Sequence, residues 1–201
     1  MVSRSGMRPA WGDLLQQYVE AGGTLIVEDV PGWSTDLSGG SSLSEWEAPT
    51  GDRAPGTLRF AQLSGIVFTY HHRGAVRRVR VVAEHPLTAG IGAPGEWVEI
   101  AYAADENNYS HLAYPVKASG CTVLVEGEHE TCRYDGISYK RAGTVSGTHP
   151  LITVNPVGKG TVIRQYAPNS LPATMGRDRY EIFAANLAQY VRKLYNERAG
   201  Q

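Results

Sequence analysis

The stretch YVEAGGTLIVEDV, residues 18–30, constrains the fold more than any other part of the chain. It reads as the end of a helix, a glycine stop and a buried strand. The spacing predicts the helix over residues 9–21. Pro9 suits its first turn, where a backbone N–H has no helical partner to lose. Trp11, Leu14, Leu15, Tyr18 and Val19 recur at three- and four-residue steps and make one apolar stripe. Gly22 and Gly23 end the helix, the first as a left-handed cap. Leu25-Ile26-Val27 then runs apolar without alternation, the pattern of a strand covered on both faces in a parallel α/β sheet. Glu28 and Asp29 stand at its carboxyl end, where such sheets place ligand crevices.

Residues 31–57 change character. They are rich in Gly, Ser and Pro and carry little periodicity, so a long ordered surface insertion is expected, pinned by Trp33 and Trp46. Beyond it, residues 58–65 are weakly helical and residues 66–70 and 76–83 are predicted strands. Arg77, Arg78 and Arg80 stand among the valines of the second strand and are read as keeping a sheet edge from pairing with other chains. HPLTAGI, residues 85–91, is a turn-rich connection. Short strands are predicted over 97–102 and 112–116, and a stronger one over 122–126. Residues 127–149 are polar and Gly-rich and read as a loop or hairpin excursion. Residues 151–154 and 161–167 pair around the turn NPVGKG. A closing helix spans 178–195, with Ile182, Phe183, Leu187, Tyr190, Val191 and Leu194 on its apolar face.

With 201 residues, the chain suits one α/β domain over 1–201. Hydrophobic residues at 42% and charged residues at 19% describe an ordinary folded domain. A net charge of −1 gives no broad attraction to nucleic acid or anionic lipid, so neither is an expected partner. No apolar run approaches the ~20 residues of a membrane span. MVSRSGMRPAW lacks the apolar segment of a signal peptide, which makes the cytoplasm the expected location. Cys121 and Cys132 read as two separate thiols, a bridge not being encoded by their spacing.

The order of these pieces resembles a known superfamily. It runs YVEAGGTLIV, HPLTAGI, TVLVE, HPLITVNPVGKGTVI and a final helix ending in NLAQYVRKL. This is similar to the class I glutamine amidotransferase-like superfamily, nearest its ThuA-like (trehalose-utilisation) members and the trimerisation domains of family-42 β-galactosidases. The likeness covers residues 10–30 and 80–195. It implies a flavodoxin-like three-layer sandwich with a mainly parallel sheet, closed by a β-hairpin and a helix. The strand–helix–strand unit that opens such domains is absent before residue 9. That implies an exposed sheet edge near residues 24–28, to be filled by another domain or a second subunit.

Catalytic members of the superfamily carry a cysteine in a sharp strand-to-helix turn, which exposes the thiol and lowers its pKa. Cys121 is followed by a β-branched strand, and Cys132 has no apolar strand before it, so glutaminase activity is not expected. The cluster EGEHETC sets His129 and Cys132 three apart, but a structural zinc site needs four ligands and no second pair is present. It is read as a solvated hairpin tip, and no metal or cofactor is expected. Lys159 lies in a turn that opens a strand, unlike a phosphate-loop lysine. No G-x-S-x-G elbow occurs.

The resemblance carries an acidic segment onto D-E-N-N-Y, so Asp105 and Glu106, with His85, are the candidate catalytic residues. Glu28, Asp29, His71 and Tyr109 are the candidate ligand contacts. His85 and His149 each precede Pro-Leu, and proline holds its predecessor extended, which also suits an architectural role. The leading expectation is a noncatalytic accessory or interaction domain linked to carbohydrate metabolism, with a small carbohydrate as a possible ligand. The alternative is a ThuA-like sugar-modifying enzyme using the acidic and histidine side chains in the crevice. General acid–base chemistry would need those groups to converge within hydrogen-bond reach of one substrate.

Overall fold

The structure is a computed structural model and describes residues 9–28, 59–68, 74–99, 112–113, 115–134, 139–165 and 175–200. Among these are three helices, α1 (Pro9–Glu20), α2 (Arg59–Leu63) and α3 (Arg177–Ala199). The strands are β1 (Thr24–Glu28), β2 (Ile66–Phe68), β3 (Gly74–Val81), β4 (Trp97–Glu99), β5 (Leu112–Ala113), β6 (Val116–Ala118), β7 (Thr122–Tyr134), β8 (Tyr139–Val157) and β9 (Gly160–Gln165). The expected 31–57 insertion lies outside the described residues. The chain divides into two compact units, residues 1–71 with 116–122 and 152–166, and residues 72–115 with 123–151 and 167–201.

In the first unit the strands run β1-β9-β8, with β1 parallel to β9 and β9 antiparallel to the end of β8. Val19, Leu25, Val27, Leu63 and Val162 make its core, with Leu15 and Val157 against them. The β8–β9 turn docks on the carboxyl end of α1. Lys159 donates its N–H to Glu20 O at 3.0 Å and Thr161 donates to Gly23 O at 3.1 Å. The terminal carbonyls of a helix have no partners of their own, and the hairpin supplies them. β2 and β6 form a separate antiparallel pair, tied by Ser119 N–H to Gly65 O at 2.7 Å. Gly65 has φ +65°, and a Cβ there would meet Cys121 N and Asn155 within 3 Å, so this turn admits only glycine.

In the second unit the order is β8-β7-β3-β4, with β5 also on β3. β3 is antiparallel to β4, β5 and β7. One face carries Val76, Val79, Val81 and Val125, all buried. The other carries Arg78, Arg80, Glu126 and Glu128, as the two-residue period of a strand requires. Opposite Glu128 the register slips, leaving Arg77 as an extra residue between Val76 and Arg78.

Several expectations are corrected. The sheet is mixed rather than mainly parallel, β1–β9 being the parallel pair among the registers described. β1 is not covered equally on both sides; Leu25 and Val27 are buried, while Thr24, Ile26 and Glu28 are half-buried. The α1 stripe is wider than its core, so Leu14 and Tyr18 remain exposed at 62% and 53%. On α3, Phe183 is buried but Ile182 is exposed, and the rest of the predicted face is half-buried. Of the two alternatives for residues 127–149, the hairpin holds and the loop does not: the neighbouring strands β7 and β8 fill most of them. β3 is flanked by partners, so its arginines do not guard an edge.

Candidate functional site

The HPLTAGI connection builds a cleft of about 510 Å³ in the second unit, lined by Glu84, His85, Pro86, Thr88, Gly90 and Pro94 among others. Its backbone is held by its own side chains. Thr88 Oγ1 donates to Ala83 O at 2.9 Å and accepts from His85 N–H at 3.1 Å. His85 Nδ1 accepts the Leu87 N–H at 3.1 Å. From α3, Asn186 Nδ2 donates to Ala89 O at 2.8 Å and Arg179 Nε donates to Ile91 O at 3.2 Å. The Tyr190 ring meets His85 edge-on at 4.9 Å.

These contacts define the chemistry of His85. Partial burial lowers its pKa, which favours the neutral ring. With Nδ1 accepting, the neutral ring carries its proton on Nε2, so that nitrogen is a donor. Beside it, the exposed Glu84 supplies an acceptor. A donor and a carboxylate at one cleft suit a hydroxyl-bearing ligand better than they suit proton abstraction by His85.

Of the other candidates, Glu28 is described. Glu28 ends β1 in the first unit, registered with Gln165 on β9. Asp29, His71, Asp105, Glu106 and Tyr109 lie outside the described residues. Near Glu28, the first unit holds a polar group that local sequence reading missed. Arg164 on β9 is 0% exposed, is registered with Val27, and donates to Ser64 Oγ at 3.3 Å. A charged residue inside the run TVIRQ was the available signal.

The EGEHETC cluster is not a solvated tip. β7 carries it through the sheet, with His129 at 0% and Glu130 at 3% exposure. The carboxylates pair with β3. Arg78 Nη2 lies 2.8 Å from Glu128 Oε2, Arg80 pairs with Glu126, and Arg77 lies 4.0 Å from Glu130. The Arg78 and Arg80 guanidinia each stand 4.5 Å from the Trp97 ring centroid. Glu130 Oε1 accepts the Gly143 N–H at 2.6 Å. Cys121 is a free, half-buried thiol whose pKa burial raises, the reverse of an activated nucleophile.

No protein family matches the chain, and no curated protein matches it. Solved structures share its fold. A β-galactosidase from Rahnella sp. R3 has a TM-score of 0.52 and 16% identity over 92% of this chain and 21% of its own. One cytoplasmic protein from Salmonella typhimurium gives 0.54 and 12% over 94% of this chain and 69% of its own. Another, from strain LT2, gives 0.51 and 16% over 91% and 61%. The chain thus spans about a fifth of the β-galactosidase it resembles. At these identities the likeness is one of fold. No helix among the described residues is long and apolar enough to cross a membrane.

Proposed function

We propose that this chain is a noncatalytic accessory or interaction domain of the glutamine amidotransferase-like, flavodoxin-like kind, serving carbohydrate metabolism. The observation that carries the reading is one of scale. Nearly the whole fold, 92% of the chain, corresponds to 21% of a β-galactosidase chain. A fold used as a fifth of a larger enzyme is suited to act as a part. The described side chains support the same reading. His85 is bound into its own turn, and Glu126 and Glu128 face arginines rather than a cleft. Among the described residues β1 is last in its strand order, and this reading assigns that side of the sheet to another domain or a second subunit.

The test is the solution mass of the chain by light scattering, with a panel of nitrophenyl glycosides assayed on the same sample. The reading expects a mass above one chain and no turnover. A monomer that cleaves a glycoside would overturn it.

The cleft at His85 favours a second reading, a ThuA-like enzyme acting on a small sugar, with Asp105 and Glu106 as its acids. Its Nε2–H donor and the Glu84 carboxylate match the hydroxyls of a polyol. Turnover that is lost in Asp105→Asn and in His85→Ala would select it.

A further inference from the structure

His129 and His149 form a pair of imidazoles in the second unit that the proposed function does not use. His129 is on the valine face of β7, registered with Val76 and wholly buried. Neither its Nδ1 nor its Nε2 has a hydrogen-bond partner. An imidazole always presents at least one donor or acceptor on each nitrogen, and burying both unsatisfied is costly. The ring beside it is that of His149 on β8, edge-on at 68° with centroids 4.8 Å apart. Two imidazoles stand about 5 Å apart when a nitrogen of each binds one ion at roughly 2.0–2.1 Å.

The surroundings select the kind of ion. Glu128 and Glu130 alternate to the opposite face of β7, so no carboxylate of that strand reaches the pair. Ser146 Oγ commits its proton to the His129 carbonyl. Among the described residues no group of three His, Cys or acidic side chains converges, so these residues offer an ion two nitrogen ligands, and solvent can complete its shell. Gly147 leaves room for that solvent: a Cβ there would come to 3.4 Å from His149 Nε2, and His149 is only half-buried. Imidazole nitrogens as the protein's ligands disfavour the oxygen-seeking calcium and magnesium and suit zinc or copper.

We propose that His129 and His149 together bind one borderline transition-metal ion, Zn²⁺ or Cu²⁺. The experiment uses the full 201-residue chain, stripped with chelator and titrated with Zn²⁺ and separately with Cu²⁺ against a chromophoric competitor. One ion per chain is expected, with affinity at least about tenfold weaker in His149→Ala and in His129→Leu. The leucine variant keeps an apolar side chain at the buried position. Paramagnetic resonance of the copper-loaded parent gives a second readout that needs no variant, and two imidazole nitrogens are expected on the ion. Stronger binding of one metal identifies which ion the pair takes. No binding above the competitor, binding undiminished in both variants, or a copper spectrum without imidazole nitrogen would each overturn the proposal.

Discussion

Gly160 lies backbone to backbone against Val19: a Cβ on this glycine would overlap the carbonyl oxygens of Val19 and Gly23. The neighbouring Gly158 is as confined, with φ +57° and a Cβ site 2.8 Å from Glu20 O. Gly95 has φ +88° but open space around it. Gly160→Ala should therefore cost more than about 3 kcal/mol, because backbone cannot step aside. Gly95→Ala should cost about 1 kcal/mol, from the left-handed conformation alone. Urea unfolding midpoints of the two variants check the ordering; equal midpoints would contradict it.

Glu130 holds β7 to β8 through the Gly143 N–H. Glu130→Gln keeps an acceptor at that place and should cost about 1 kcal/mol. Glu130→Leu leaves the amide facing an apolar side chain and should cost roughly 2–3 kcal/mol, since charge-assisted bonds are the stronger kind. The Gly143 amide should exchange faster with solvent in the leucine variant. If leucine proves the milder change, the carboxylate is not what fastens these strands.

Burial, and then the neighbouring His149, push the His129 pKa from 6.5 down to about 3. In metal-free solution the folded chain keeps this ring neutral, while the unfolded chain protonates it near the ordinary value. Its contribution to stability is thus complete above about pH 6.5 and declines as pH falls, by about 1.4 kcal/mol per pH unit, until the ring titrates in the fold. His129→Leu should flatten this slope between pH 6 and 4. Unfolding midpoints measured across that range with chelator present decide it; parallel curves for parent and variant would refute the assignment.

Thr88 is 4% exposed, and its hydroxyl both gives and takes a bond within the HPLTAGI turn. Thr88→Val keeps the shape and removes both bonds, so a loss of about 1–3 kcal/mol is expected, with Thr88→Ser much closer to the parent. Faster exchange of the His85 amide in the valine variant would locate the loss. Unchanged exchange there would mean the turn is held from α3 instead.

The parts read well locally are those that carry their own punctuation: the glycines after α1, the NPVGKG turn and the HPLTAGI connection. What could not be read is what they touch. The GKG turn caps α1 from well over a hundred residues away, and Asn186 reaches Leu87 across 99 positions. The extension of β7 past Glu126 was hidden for a different reason. Its core-facing positions are Gly127 and His129, which an apolar-alternation test does not score, and its outward positions are glutamates that resemble a loop. Gly127 fits because a Cβ there would press on Val76 and Leu151. Arg78 and Arg80 looked like edge guards because their counter-charges lie on another strand. At the candidate site, the architectural place of His85 is legible from the Pro-Leu that follows it, whereas its tautomer depends on the Leu87 amide, which only the folded turn aligns.

The extra residue at Arg77 also sets how β3 tolerates change in length. Elsewhere in this strand, losing one residue would turn the valines outward and bring the arginines in, because facing inverts with each step. Position 77, or equivalently the identical Arg78, is the exception. Its removal would leave Val76 and Arg78 as consecutive residues against His129 and Glu128, restoring an unbroken ladder with every face kept. Among homologous chains, a one-residue gap in β3 is therefore expected at this point, with the ion pairs of Arg77 to Glu128 and Glu130 as its cost.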